Sequence, residues 1–137
     1  MQRAKEIFDN YAGSKFQMMR DGIITEYQKY NVSPKLEKHW LEELVELEFN
    51  KLDINDFNSF FPLWYIIEYH SLVNRIKDVR DFIVSNVNKS QSKDNLNLFI
   101  DKVISILSDP ANSDFYTLND ELSDFKKLRC ESNPNIA

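Results

Sequence analysis

Phe16-Gln17-Met18-Met19-Arg20-Asp21-Gly22-Ile23-Ile24-Thr25 is the stretch on which the fold class turns. Asp-Gly between two apolar runs is a hairpin signal, so a short β-hairpin over residues 15–27 is one reading. The other is a loop followed by a helix over 23–30, with Ile23, Ile24, Tyr27 and Tyr30 on one side, and this is the preferred one. The surrounding chain tips the balance, because 137 residues hold only 2 Gly and 4 Pro, too few to punctuate a many-stranded fold. The expectation is therefore all-α: a single domain over residues 1–137 built as a bundle of five or six helices, with the hairpin left open.

Working outward, Ala4, Ile7, Phe8 and Tyr11 share one face of a first helix that Gly13 is expected to stop. Ser33-Pro34 opens the next firm helix, since serine can cap the unpaired N–H groups and proline at the first position gives up no hydrogen bond. That helix runs to about Leu52. Two apolar lines, Leu36/Trp40/Leu44/Leu47 and Leu41/Val45/Phe49/Leu52, give it a wide buried arc.

A long helical region is expected from Ser59 to Val87, with Pro62 tolerated in its first turn and a bend near Asn74 or Asp78. Asn88 to Lys93 reads as an exposed loop. Asp94 is expected to cap a helix to Ser108 that is apolar on most sides and hence central. A last helix to about Cys130 carries the narrow seam Phe115/Leu118/Leu122/Phe125, and residues 131–137 form a frayed tail.

Composition excludes several classes of function. Seventeen Lys and Arg against twenty-two Asp and Glu give a net charge of −5, and no concentrated basic face is present to meet a nucleic-acid backbone. The longest apolar run, Leu63 to Ile67, is far too short to span a bilayer, and the N-terminus lacks the apolar core of a secretory signal. One cysteine permits neither an intrachain disulfide nor a thiolate metal cluster, which suits a cytoplasmic location. Isolated glycines at 13 and 22 cannot build a phosphate-cradling loop, so no cofactor is expected.

Chemistry-bearing side chains are few. His39 stands three, four and seven residues before Glu42, Glu43 and Glu46, on one polar helix face. His70 continues the apolar line of Leu63, Ile66, Ile67 and Val73 and is expected to point inward. If His39, Glu43, Glu46 and His70 converged, they would make a metal site inside a bundle, although the paired Glu-x-x-His spacing of di-iron bundles is absent. Catalytic residues are not identifiable: there is no G-x-S-x-G elbow, and Cys130 has no histidine near it in sequence.

The densest feature is Phe60-Phe61-Pro62-Leu63-Trp64-Tyr65. Six such residues in a row cannot all face one core on a helix, so at least one of Phe61, Trp64 and Tyr65 is expected near the surface, where aromatics serve as contact anchors. The competing expectation is that the segment from Gly13 to Gly22 folds over them as a flap. The leading functional expectation is a small acidic protein that binds another protein, in the manner of an adaptor or immunity protein. Its candidate contacts are Phe61, Trp64, Tyr65, Glu42, Glu43 and Glu46. The alternative is a bundle enzyme or ligand binder with the His/Glu metal site, and a homodimer through Phe115, Leu118, Leu122 and Phe125 is a further expectation.

Overall fold

The computed structural model describes residues 1–109 and 125–128. The fold is all-α, and no strand or sheet occurs among the described residues; an isolated antiparallel bridge joins Asp53 and Asp56 across a turn. The chain divides into two compact units, residues 1–50 and residues 51 onward.

In the first unit, α1 (Gln2–Asn10) packs on α4 (Pro34–Asn50), with α2 (Lys15–Arg20) and α3 (Ile24–Gln28) between them in sequence. The open question over residues 15–27 thus resolves into two short helices, and the hairpin does not form. Ser14, wholly buried, accepts a hydrogen bond from the Gln17 amide at 3.2 Å and so starts α2. Gly22 (φ +76°) turns the chain after α2, with Ile23 N–H bonding back to Met18 C=O at 2.8 Å. This is helix-stop geometry, not the two-residue turn of a hairpin. The core of the unit is Ala4, Ile7, Phe8, Met18, Tyr27 and Trp40, with Trp40 edge-on to Phe8 at 5.6 Å. Its polar clasp is the Tyr27 hydroxyl, which donates to Glu37 at 2.6 Å while Lys15 approaches the other Glu37 oxygen at 3.3 Å. Burial, and then the neighbouring carboxylate, push the Tyr27 phenol pKa up, so the group stays a donor well beyond the ordinary tyrosine range.

In the second unit, a 3₁₀ turn (Phe57–Phe60) leads into α5 (Phe61–Tyr69). A second 3₁₀ turn (Val73–Arg75) precedes α6 (Ile76–Asn86), and a third (Val87–Lys89) precedes α7 (Lys93–Leu107). Asp56 starts the first of these turns by accepting from Asn58 N–H at 3.0 Å. The polar loop before α7 is tied back to it: Asn95 accepts from Phe57 N–H at 3.0 Å, and Asn55 accepts from Gln91 N–H at 2.6 Å. α6 packs on α7, which buries Leu96, Phe99, Ile100, Val103, Ile106 and Leu107 and is the apolar centre expected of it, although Leu98 is half exposed. Ser92 caps α7 in place of the expected Asp94, accepting from Asn95 N–H at 3.2 Å.

The described residues hold more helices than the five or six expected, because 14–30 contributes two and the long helix over 59–87 is broken. The break is at Ser71, whose φ is +56°. Leu72 N–H bonds to Ile67 C=O at 2.8 Å and Ser71 N–H to Glu68 C=O at 3.3 Å, the paired closure of a Schellman motif with serine at its left-handed position. α1 ends in the same way on Ala12 (φ +50°), one residue before the expected glycine stop. A left-handed residue with a Cβ costs about 1–2 kcal/mol relative to glycine, partly offset by the greater unfolded-state freedom of glycine. Ser71→Gly is therefore expected to raise the unfolding free energy by roughly 0.5–1 kcal/mol in urea denaturation. A loss of stability would show that the serine side chain contributes more than the strain it carries.

Of the last helix, residues 125–128 are helical and Phe125 is 2% exposed. Phe115, Leu118, Leu122, Cys130 and the tail over 131–137 lie outside the described residues.

Candidate functional site

Why α5 shows aromatic rings to solvent follows from its composition. Nine residues, Phe61 to Tyr69, contain one charged side chain, Glu68, so no orientation can bury every apolar group. Leu63, Ile66 and Ile67 take the inner side and are sealed. Residues four apart stack on one helix face, and Phe57, Phe61, Tyr65 and Tyr69 form such a line. Two ring pairs lie along it: Phe57 meets Phe61 edge-on at 5.2 Å, and Tyr65 and Tyr69 lie nearly parallel at 6.0 Å with 20° between their planes. Phe61, Tyr65 and Tyr69 remain 47%, 37% and 42% exposed. They form an exposed aromatic ridge on the second unit.

Trp64 occupies the flank between ridge and core. It is half-buried, and the Lys102 ammonium of α7 sits 5.0 Å from its ring centroid, a cation–π contact. Beside it opens a recess of about 420 Å³, lined by Trp64, Glu68, Ser71, Lys102, Ser105 and Asp109 among others. His70 is placed differently from its expected inward position. It is the C-cap of α5, half-buried, with its ring edge-on to Tyr69 at 4.8 Å. The left-handed turn at Ser71 follows it directly, so no further turn of α5 brings Val73 alongside it.

The acidic face of α4 has a separate character. Glu42, Glu43 and Glu46 are exposed. His39 Nε2 lies 2.7 Å from Glu43 Oε1, and Lys5 Nζ reaches the other Glu43 oxygen at 3.6 Å, so Glu43 is already engaged with two neighbours. The structure brings His39 and Glu43 together. Among the described residues no group of three His, Cys, Asp or Glu side chains is suited to hold a metal ion.

Of the sequence-derived contact candidates, Phe61 and Tyr65 are on the ridge, Trp64 is on its flank, and the three glutamates are on α4. Tyr69 was missed. Its signal is the four-residue spacing 57/61/65/69.

No helix among the described residues is long and apolar enough to cross a membrane. Searches against protein-family models, curated proteins and solved structures found no match to this chain.

Proposed function

We propose that this chain is a protein-binding or regulatory module of the cytoplasm, a single-domain helical bundle whose docking surface is the aromatic ridge of α5. One observation carries the reading: Phe61, Tyr65 and Tyr69 are held in a row, in mutual contact or register, with more than a third of each side chain in water. Rigid amphipathic aromatics of this kind give large contact area at low entropy cost, and they dominate binding energy where they become buried. A net charge of −5 and the absence of a basic face support a protein partner over nucleic acid. The α4 glutamates carry less of the reading, because Glu43 is spent on His39 and Lys5. No observation favours the metal-centred alternative.

Placing a benzophenone amino acid at position 65 or 69 in the living cell tests the surface directly. Irradiation is expected to yield one adduct of defined mass from each position and none from Gln28, which is exposed on α3. Equal labelling at Gln28, or no adduct from either tyrosine position, would remove the proposal.

A further inference from the structure

The C-terminal half of the ridge is more selective than an apolar patch. From Leu52 to Asn74 the chain carries Asp53, Asp56 and Glu68 and not one lysine or arginine, although both flanking positions, Lys51 and Arg75, are basic. Glu68 is exposed beside Tyr69, the last residue of α5. The carbonyl end of a helix carries partial negative charge, which favours a cation in its last turn. Tyr65 and Tyr69 present nearly parallel ring faces there, and a planar guanidinium binds such faces by stacking and by cation–π attraction. The same helix already shows this chemistry once, in the Lys102 ammonium held over Trp64. Lys102 lines the same recess as Glu68, and the rings supply the larger share of recognition.

We infer that the end of α5 docks a basic segment of a protein partner, with an arginine side chain lying on the Tyr65/Tyr69 pair beside Glu68. The inference rests on the docking role proposed above for the ridge. It narrows that role to a cationic partner.

Fluorescence anisotropy with the full chain tests it. The probes are a labelled peptide of alternating arginine and glycine, the same peptide with glutamine for arginine, and a proline-rich peptide of equal length. Only the arginine peptide is expected to bind. Tyr65→Leu and Tyr69→Leu, which keep apolar bulk but remove the ring, should each weaken it by about fivefold or more. Glu68→Gln should weaken it less, and Asp81→Asn/Asp94→Asn, which removes two charges elsewhere in the same unit, should change it by less than about twofold. All these positions are exposed, so the fold is expected to persist, and circular dichroism checks that.

The inference is overturned if the arginine peptide does not bind, or if the glutamine or proline-rich peptide binds as well or better. It is also overturned if the Asp81/Asp94 variant loses as much as the tyrosine variants, or if the loss is confined to Glu42→Gln/Glu43→Gln/Glu46→Gln. Benzophenone adducts at position 65 or 69 without arginine-peptide binding overturn the cation chemistry and leave the docking role standing. Absence of adducts overturns both.

Discussion

Phe99→Ala is expected to lower the unfolding free energy by about 3–5 kcal/mol, the range for deleting a large ring from a packed core. Phe99 has no exposed surface. It is the hub of four rings: Phe57 meets it edge-on at 5.2 Å, Phe60 lies at 6.0 Å and Phe82 at 6.2 Å. These neighbours come from the turn before α5 and from α6, so the hole that truncation leaves in α7 has ring walls on two other elements, and neither can collapse into it without moving the other. Urea denaturation followed by circular dichroism measures the loss. Leu98→Ala, one residue away but 49% exposed, is the matched comparison and should cost no more than about 1 kcal/mol. Equal losses from the two variants would mean that the ring cluster is not the core of its unit.

The second large effect is expected in the other unit. Trp40→Ala removes a side chain that is 5% exposed, sits edge-on to Phe8 and shares a cluster with Ala4, Ile7, Met18 and Tyr27. The expected loss is again about 3–5 kcal/mol. Leu47→Ala, half exposed on the same helix, should stay within about 1 kcal/mol. The chain has only two tryptophans, and Trp64 belongs to the second unit, so Trp40→Ala leaves an indole that reports on that unit alone. A Trp40→Ala protein with unchanged urea midpoint would show that α1 and α4 are not held by this contact.

Much of the helical framework was legible in the residues. Ser33-Pro34 announced α4, and the Ser33 hydroxyl accepts from Leu36 N–H at 3.1 Å as a cap should. The apolar pattern over 96–107 announced the helix that buries the most side chains among the described residues, with Leu98, Asp101 and Ser105 left on its exposed line. The crowding of Phe60 to Tyr65 announced exposed aromatics, because helical geometry forbids burying all six together. The stop of α1 was legible in Gly13 to within a residue, whereas the stop of α5 was not. Ala12 and Ser71 sit in the left-handed region that glycine usually supplies, so neither residue type signals the turn it makes. Without a residue type that marks the stop at Ser71, the apolar spacing reads as one helix through Val87, where the structure has α5, a 3₁₀ turn and α6.

The residues alone specify the all-α class. Scarce glycine and proline, three- and four-residue apolar spacing and well-marked caps all act within a turn or two of chain, so they specify helix without reference to anything distant. Only the tertiary structure decided where strained residues would be accepted and which aromatics would stay in water. Serine stands at φ +56° where Leu72 N–H closes back onto Ile67 C=O, and the inner side of α5 is taken by Leu63, Ile66 and Ile67, leaving Phe61, Tyr65 and Tyr69 outside. Such choices compare the free energies of whole arrangements, and no local pattern of residues encodes that comparison.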